Sequence, residues 1–430
     1  MPSVAFHTLG CKLNFAETGS IAEQFRAREW EIVPFGEHAD TVVLNTCTVT
    51  EEADRKCRQT IRRALRKNPD TFVIVTGCFA QLRPEQIAGI EGVDVVLGAQ
   101  EKFDVFRYVS AFHKGERTQI DVSCIDGVTS FGSAFSATER TRAFLKVQDG
   151  CDYSCSFCTI PAARGPSRSA TVQDIVDQAR TIAGRGYREI VLSGVNIGLF
   201  GQERGEELLP LLKALDGVTD IDRYRISSIE PNLLTDGIID FVAESRAFVP
   251  HFHLPLQSGD NDVLGAMRRR YRRETYSERV ERIHNAMPHA AIGVDVIVGF
   301  PNETPERFEN TFAYLADLPA SYFHVFTYSE RPGTVAVDRL GGSPVPKADR
   351  SRRNRRLRLL SEKKRAAFYR QFTGTERPVL WEYAQDGGTM SGFTDNHIRV
   401  QAPFDESQTG EICTVRIGPM LANGLMAMLP

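Results

Sequence analysis

The sequence is poor in cysteine, in long apolar runs and in net charge, and each shortage excludes a class of protein. Nine cysteines in 430 residues fall well below the ~8–10% density of a disulfide-stabilised scaffold, and an odd number cannot all pair. No run of about 18 apolar residues occurs, so a transmembrane helix is not expected. The formal charge of −3 excludes a uniformly basic nucleic-acid binder, and any such partner must be met by a local patch.

The N-terminus also lacks the basic start and apolar segment of a signal peptide. We therefore expect a cytoplasmic protein with no membrane partner. In that reducing compartment, clustered cysteines are metal ligands or catalytic thiols more often than disulfides. The remaining composition, with 42% hydrophobic and 25% charged residues, is that of a globular protein, and the length favours two to four domains.

Short apolar runs alternate with amphipathic segments over most of the chain, which predicts an α/β protein. Residues 1–113 read as βαβ units around a parallel sheet, residues 114–140 as a linker, and residues 141–340 as a partial or full β/α barrel. Residues 341–372 form a break at Gly341 and a basic helical connection. Five short strands within residues 373–430 predict a small, OB-like β-barrel, which is a common nucleic-acid platform.

A cysteine cluster follows the first strand of the predicted β/α barrel. The segment CDYSCSFC places Cys151, Cys155 and Cys158 on one loop, where each thiolate can bind a different iron of a four-iron cluster and leave the fourth iron open. Zinc is the main alternative, but structural zinc sites have four ligands and no fourth Cys or His lies nearby. A ferredoxin-type electron carrier would also need a fourth thiolate.

This spacing, with the aromatic residue Phe157 before the last cysteine, resembles the radical S-adenosylmethionine superfamily. The resemblance implies that S-adenosylmethionine binds the open iron and that one electron cleaves it to a 5′-deoxyadenosyl radical, which abstracts hydrogen. The protein itself would position the reactants and exclude water and oxygen.

Three further cysteines, Cys11, Cys47 and Cys78, each come directly after a predicted parallel strand. Carboxyl ends of parallel strands share one edge of a sheet, so these thiols are predicted to converge there. The alternative for any one of them is a buried small apolar residue. The last three cysteines, Cys57 on a helical core face, Cys124 in the linker and Cys413 in a barrel strand, are not expected to be ligands.

Three N-terminal cysteines, a radical cluster and a terminal small barrel together resemble the methylthiotransferase family over nearly the whole chain. The motifs that carry the resemblance are CDYSCSFCTIPAARGPSRS, GYREIVLSGVNIGLFG, RISSIEPNLLTD, HFHLPLQSGDNDVLGAMRRRY, GVDVIVGFPNET and FTYSERPGT. In this family the N-terminal cysteines hold an auxiliary cluster, and the terminal barrel is a TRAM domain that binds tRNA. The implied cofactors are two 4Fe-4S clusters and S-adenosyl-L-methionine.

Within the family, FHTLGCKLNFAET and NTCTVTEEADRKCRQ look most like the bacterial branch that acts on N6-threonylcarbamoyladenosine next to the tRNA anticodon. Lys12 and Leu13 fit neither the GCQMN-like start of the isopentenyladenosine branch nor the GCPKN-like start of the ribosomal-protein branch. The resemblance implies an enzyme that inserts a methylthio group at C2 of the adenine. Its implied partners are the tRNA anticodon loop and a reductase such as flavodoxin or ferredoxin.

Two positions depart from the family pattern, and both departures are minor. Asp152 stands where asparagine is usual, and Asn302 stands where glycine is usual. Because asparagine adopts a positive φ less freely than glycine, the backbone at Asn302 is the less certain of the two.

Candidate cofactor and substrate contacts lie at predicted strand ends. Ser193 and Gly194 stand where superfamily members bind the methionine amino group, although a plain turn is equally compatible. We expect Glu230, Gln257 and Asp295, which follow or end strands, to bind a ribose or the substrate. Arg164 and Arg168 would pair with a cofactor carboxylate or an RNA phosphate.

The near-neutral total conceals two basic runs. Between Lys347 and Arg370 eleven basic residues stand against two acidic ones, and a second run covers 268–273. Such runs are usually solvated faces, but their place before an RNA-type barrel favours phosphate contacts, which position a nucleic acid without reading its bases. The predicted contacts are Arg268, Arg269, Arg353 and Arg356.

Two rival hypotheses remain open. The same chemistry could act on isopentenyladenosine in tRNA or on a ribosomal protein. A protein of another class, a non-catalytic iron–sulfur protein for RNA binding or electron transfer, would form no 5′-deoxyadenosine.

Overall fold

The chain folds into three packed regions in the computed structural model, which describes residues 1–115, 117–136, 141–340, 344–382 and 388–429. The predicted linker and the predicted basic connection therefore lie partly outside the described residues, at 116, 137–140 and 341–343. Among the helices that are described, none has the length and apolarity needed to cross a membrane.

The N-terminal region is a parallel sheet with the strand order β2-β1-β3-β4-β5-β6. Its strands are β1 (Ser3–Thr8), β2 (Glu31–Val33), β3 (Thr41–Thr46), β4 (Phe72–Gly77), β5 (Val95–Leu97) and β6 (Gln119–Asp121). Its helices are α1 (Lys12–Arg26), α2 (Glu51–Lys67), α3 (Cys78–Leu82), α4 (Pro84–Ala88) and α5 (Val105–Tyr108). Strands β3 and β4 are buried throughout because helices cover both faces, which explains their continuous apolar runs. Strand β6 lies in the predicted linker, where two of its three residues are exposed and the third is half-buried, so it gives little sequence signal.

The central region is an open barrel of six parallel strands. The barrel strands are β8 (Arg142–Lys146), β11 (Glu189–Ser193), β12 (Arg223–Ile226), β13 (His251–Gln257), β14 (Ala291–Val298) and β15 (Tyr322–Thr327). Three short strands stand beside them: β7 (Phe135–Ser136) pairs with β8 antiparallel, and β9 (Gln148–Asp149) pairs with β10 (Arg168–Ser169) antiparallel. The barrel order is β8-β11-β12-β13-β14-β15, with isolated parallel bridges joining β12 to β13. This confirms the partial barrel among the two alternatives that the sequence left open.

Helices cover the outer face of the barrel and pack into its main apolar core. They are α7 (Val172–Gly184), α8 (Leu208–Asp216), α9 (Asp236–Glu244), α10 (Asn261–Ala266), α11 (Arg273–Ala286) and α12 (Pro305–Asp317). Two short helices lie outside this core: α6 (Ile160–Arg164) packs against α3, and α13 (Val335–Asp338) packs in a smaller apolar cluster with Phe300. Thr171, Thr235 and Thr304 each accept a hydrogen bond from a backbone N–H of the first turn, which fixes where α7, α9 and α12 begin.

Helix α1 of the N-terminal region packs along the β8 edge of the open barrel. It packs against β7 and β8, and its residues Ala16 and Phe15 share an apolar cluster with Phe144 and Val191 on the inner barrel face. Gly19 is required at this contact, because a Cβ there would lie 2.5 Å from the Phe135 carbonyl oxygen.

The C-terminal region consists of α14 (Lys347–Arg370), which packs on β15, and a closed barrel. The barrel strands are β16 (Glu376–Trp381), β17 (Thr389–Thr394), β18 (Arg399–Pro403), β19 (Ile412–Met420) and β20 (Met426–Leu429), in the order β16-β17-β18-β20-β19. Their inner face is filled by Trp381, Met390, Ile417 and neighbours. Arg223 and Arg225 of β12 donate to backbone carbonyls of Phe393, Pro378 and Asp395, which docks this barrel on the central region.

Candidate iron–sulfur and cofactor site

The central cysteines lie on one loop at the carboxyl end of the barrel strands. The loop is held by backbone bonds, since Cys151 N–H donates to Gly165 (3.1 Å) and Ser156 N–H donates to Met267 (3.0 Å). Burial and the neighbouring thiols raise the pKa of Cys151 to about 11 and that of Cys158 to about 12. These thiols are therefore neutral until a metal displaces their protons.

Arg269 lies beside this loop and not on an RNA-facing surface. Its guanidinium donates to Cys155 Sγ (3.1 Å), to the Glu230 carboxylate and to the Tyr271 hydroxyl (2.9 Å), and its side chain is 3% exposed. The structure thus contradicts the predicted RNA contact of Arg269. The carboxylate of Glu230 is paired with Arg269. The sequence of the basic run at 268–273 gave no indication that Arg269 is buried.

Buried polar groups without partners mark the carboxyl edge of the barrel. Both side-chain polar atoms of Asn196, the Ser227 hydroxyl and the Gln257 side-chain oxygen have none among the described residues. Gln257 adopts a φ of +72° at a bulge in β13, a conformation that non-glycine residues rarely hold without a functional reason. An unpaired buried polar atom costs free energy, so these positions fit a polar ligand such as S-adenosylmethionine. Sequence reasoning missed Asn196 and Ser227.

The other predicted cofactor contacts border the same edge. Ser193 ends β11 and its hydroxyl donates to Val191, while Gly194 sits where a Cβ would lie 2.9 Å from the Gln148 side chain. Phe157 packs edge-on against Phe300, with 6.4 Å between the ring centroids.

Asp295, in contrast, does not end its strand. It lies in the middle of β14, where its carboxylate is 2.8 Å from His253 Nε2. The predicted place at a strand end is therefore wrong, because β14 continues for three residues beyond Asp295, and its contact with a ribose or the substrate stays a prediction.

The N-terminal cysteines follow β1, β3 and β4 at one edge of the parallel sheet, as predicted. Asn14 ties two of their loops together by donating to the carbonyls of Leu9 (2.8 Å) and Thr46 (3.1 Å). Gly77, directly before Cys78, has a φ of +98°, and a Cβ there would lie 2.4 Å from the Thr46 oxygen. Burial and the neighbouring Cys78 raise the pKa of Cys47 to about 12.

Each cysteine triad offers three thiols, which is one ligand fewer than a closed structural zinc site has. Three thiols fit a four-iron cluster in which each thiolate binds its own iron and the fourth iron stays open.

The remaining three cysteines lie outside both triads, as predicted. Cys57 packs in the core with Ile61 and Ala64, and its thiol contacts the Cys47 carbonyl oxygen (3.3 Å). Cys124 is exposed, and Cys413 packs against the terminal barrel core.

A buried network of charges joins the two regions that carry the triads. Glu17 on α1 accepts from Lys102 (2.6 Å), Lys146 (3.3 Å) and Arg164 (2.9 Å), and all of these side chains are at most 3% exposed. The network continues to Asp149, which pairs with Lys146, Arg164 and Arg168. Arg164 also donates to Asn14 Oδ1 (2.6 Å), so helix α6 of the central cysteine loop is bonded to the residue that holds the N-terminal loops.

This network corrects two predictions. Arg164 and Arg168 were expected to bind a cofactor carboxylate or an RNA phosphate, but both are buried and their guanidinium groups are occupied by Asp149, Glu17 and backbone carbonyls.

The structure accommodates the two positions that depart from the family pattern. The Asp152 carboxylate accepts a hydrogen bond from Ser167 N–H (2.8 Å), and Asn302 adopts a φ of +66°.

The basic helix α14 divides into buried and exposed cations. Arg353 is buried and paired with Glu303 (2.5 Å), which contradicts its predicted RNA contact. Arg356 pairs bidentately with Glu309, and Arg268 is exposed. Exposed Arg355 and Arg358 line a groove of about 350 Å³ between α14 and the end of β15, and sequence reasoning did not single them out.

Comparison with known proteins agrees with these features. Residues 3–98 match the family model described as "Uncharacterized protein family UPF0004", and residues 145–315 match the Radical SAM superfamily. The "Threonylcarbamoyladenosine tRNA methylthiotransferase MtaB" of Bacillus subtilis is 38% identical over 97% of this chain and 94% of its own length. The protein of that name from Aquifex aeolicus is 39% identical over 88% of this chain and 92% of its own. A "tRNA-2-methylthio-N(6)-dimethylallyladenosine synthase" from Staphylococcus epidermidis is 30% identical over 95% and 81%.

Among solved structures, the radical S-adenosylmethionine methyltransferase TsrM from Kitasatospora setae superposes with a TM-score of 0.59. The match covers 78% of this chain and 77% of TsrM at 15% identity, which indicates a shared fold. From the sequence relatives, the chain belongs to the radical S-adenosylmethionine methylthiotransferase family, within the branch of the threonylcarbamoyladenosine tRNA methylthiotransferases.

Proposed function

We propose that this enzyme converts N6-threonylcarbamoyladenosine next to the tRNA anticodon into its 2-methylthio derivative. The observation that carries the proposal is the adjacency of two three-thiol sites. Helix α3, which begins at Cys78, packs against helix α6, which follows Cys158. A methylthio donor and a radical source must both reach one carbon atom, and this adjacency supports that requirement.

We assign the ligands of the radical cluster as Cys151, Cys155 and Cys158, and those of the auxiliary cluster as Cys11, Cys47 and Cys78. When bound, the clusters and S-adenosylmethionine supply hydrogen abstraction at C2 and the methylated sulfur that replaces the hydrogen. Arg269 stabilises the Cys155 thiolate through its N–H, and Glu230 holds Arg269 in place. Asn196, Ser227 and Gln257 supply polar groups for the cofactor.

The buried network around Glu17 keeps the two triads in register. Glu17 on α1 is paired with Lys102 of its own region and with Lys146 on β8 and Arg164 on α6 of the central region, so a shift of one region against the other would separate buried charges from their partners. Separating such charges is expensive in a low-dielectric interior.

Exposed cations support a tRNA path across the surface. Arg355 and Arg358 in the groove beside β15 and the exposed Arg268 would contact phosphates and position the anticodon loop. The target base must leave its stack to enter the barrel. A cytoplasmic flavodoxin or ferredoxin would deliver the electron.

Mass spectrometry of tRNA nucleosides from a deletion strain tests this function. We expect the methylthiolated threonylcarbamoyl nucleoside to disappear and the unmethylthiolated nucleoside to accumulate. Complementation with the wild-type gene should restore the product. Persistence of the methylthiolated nucleoside, or loss of the dimethylallyl product in its place, would contradict the proposed substrate.

A further inference from the structure

The inner face of the open barrel forms a polar chamber. Side chains alternate along each strand, and the residues opposite to the helix-covered core point inward. These inward residues include Glu189 on β11, Arg225 on β12, His253 on β13, Asp295 on β14 and His324 on β15. Glu189, Arg225 and Asp295 are all close enough to act electrostatically on the ammonium group of Lys12.

Lys12 is the first residue of α1, the helix that packs along the edge strand β8, and its side chain is accessible to solvent. Lys12, Phe15 and Ala16 lie one turn apart and therefore share a face of α1. Phe15 and Ala16 pack with Phe144 and Val191 on the inner face of the barrel, so Lys12 lies on the face of α1 that is turned toward the chamber.

Lys12 differs from the other cations around the chamber because it lacks a partner. Arg225 pairs with Glu189 (3.0 Å), and Arg142 pairs with Glu382 (2.9 Å). Asp295 is bonded to His253 (2.8 Å). For Lys12, the described part of the chain provides neither a hydrogen bond nor an ion pair.

An unpaired ammonium group enclosed by protein is costly unless an anion joins it. The neighbouring arginines increase this cost, because Arg225 and Arg142 both repel the Lys12 charge. The N-terminus of α1 adds the positive end of a helix dipole, and no side chain caps it. The chamber is therefore built to receive negative charge at Lys12.

We propose that Lys12 binds the carboxylate of the amino-acid substituent on N6 of the target adenine. This inference rests on the proposed function, since a threonylcarbamoyl group ends in a carboxylate whereas a dimethylallyl group has no charge. Lys12 is thus a specificity-determining residue next to the auxiliary cluster ligand Cys11. An RNA phosphate is the less suitable anion, because the base and its substituent enter the barrel while the backbone stays at its mouth.

Two anticodon stem-loop RNAs test the proposal on the reconstituted holoenzyme. One carries N6-threonylcarbamoyladenosine, and the other carries the same substituent with its carboxylate replaced by a carboxamide. For the wild-type enzyme we expect the carboxamide to lower kcat/KM and to weaken RNA binding, measured by fluorescence anisotropy, by roughly 10- to 100-fold. Equal values for the two RNAs would overturn the proposal without any mutation.

Variants of Lys12, assayed on the same two RNAs, test whether this residue recognises the carboxylate. Lys12→Gln should lose about the same factor on the carboxylate RNA, and it should no longer distinguish the two RNAs. Lys12→Arg should retain the distinction. Lys213→Gln, which removes an exposed lysine on the outer helix α8, should behave as wild type.

The outcomes separate this inference from the function on which it rests. Equal losses of Lys12→Gln on both RNAs, or an unchanged preference for the carboxylate, would contradict the role of Lys12 while leaving the enzyme's function intact. Failure of the wild-type enzyme to methylthiolate either RNA would contradict the function itself. Iron content and 5′-deoxyadenosine formation should be unchanged in Lys12→Gln, which shows that both clusters are present.

Discussion

The two cysteine triads reach similar arrangements by different routes. The central triad lies on one loop and spans eight residues from Cys151 to Cys158. The N-terminal triad comes from three loops: 35 residues lie between Cys11 and Cys47, and 30 lie between Cys47 and Cys78. Only the parallel sheet brings the second triad together, through loops that Asn14 and Gly77 hold in place.

This difference has a consequence for how each site fails. A local loop keeps its ligands close whatever happens to distant parts of the chain. A triad assembled from three strand ends depends on the whole sheet and on the charged network that docks the sheet on the barrel. The N-terminal site should therefore be the more sensitive to changes in packing.

The largest expected effect comes from removing a central ligand. Cys155→Ala should abolish both 5′-deoxyadenosine formation and methylthiolation, and iron should fall from about eight to about four atoms per chain. Iron analysis of the anaerobically prepared protein and chromatography of the products measure this. Cys124→Ala, at an exposed cysteine outside both triads, is the matched control and should retain all three properties. Continued 5′-deoxyadenosine formation by Cys155→Ala would contradict the ligand assignment.

The second largest effect is expected from a change in the buried charge network around Glu17. Glu17→Gln removes the carboxylate shared by Lys102, Lys146 and Arg164, and uncompensated buried charge of this kind costs about 3–5 kcal/mol. Thermal unfolding should register this loss, and the auxiliary cluster should be lost before the radical cluster. Glu23→Gln, on the same helix but 40% exposed, should cost at most about 1 kcal/mol. Equal destabilisation by the two changes would show that the network does not hold the regions together.

The sequence predicted the parts of both sites that follow from local pattern. Alternating elements predicted the sheet edge for Cys11, Cys47 and Cys78, and the loop spacing predicted the central triad. It could not predict which arginines turn inward, because Arg269 and Arg353 find their carboxylates only in the folded chain. Asn196 and Lys12 were missed as ligand-facing groups for the same reason, since orphaned polar atoms are properties of packing and not of spacing.

A smaller effect concerns the contact between the terminal barrel and the central region. Burial holds the pKa of His251 and of His397 well below the usual 6.5, and Arg225 and Lys12 lower both further. The unfolded chain therefore binds more protons below about pH 6.5, so stability should fall as the pH drops below that value, by at most about 1.4 kcal/mol per pH unit for each histidine.

Unfolding followed between pH 7.5 and 5.5 by tryptophan fluorescence measures this dependence. Trp381 is buried in the terminal barrel, and Trp30 packs in the N-terminal region. We expect the Trp381 transition to be the more sensitive to acid, and His397→Asn to reduce that sensitivity. A transition that does not change down to pH 5.5 would contradict the burial of neutral histidines at this contact.

The smallest expected effect separates exposed from buried cations on α14. Arg355→Gln should weaken tRNA binding a few-fold and reduce its salt dependence by about one counterion, without lowering the melting temperature. Arg353→Gln should lower the melting temperature, because it leaves Glu303 buried without its partner. Fluorescence anisotropy at several salt concentrations and thermal unfolding distinguish the two. If Arg353→Gln instead weakened tRNA binding and left the melting temperature unchanged, Arg353 would be an RNA contact after all.

The division of labour between the triads is tested most directly by Cys47→Ala, assayed anaerobically with S-adenosylmethionine, dithionite and threonylcarbamoyl-modified tRNA. The central triad is intact in this variant, so we predict continued formation of 5′-deoxyadenosine with no methylthiolated nucleoside. Loss of 5′-deoxyadenosine despite a full radical cluster, or methylthiolation at the wild-type level, would contradict the assignment of two sites with separate tasks.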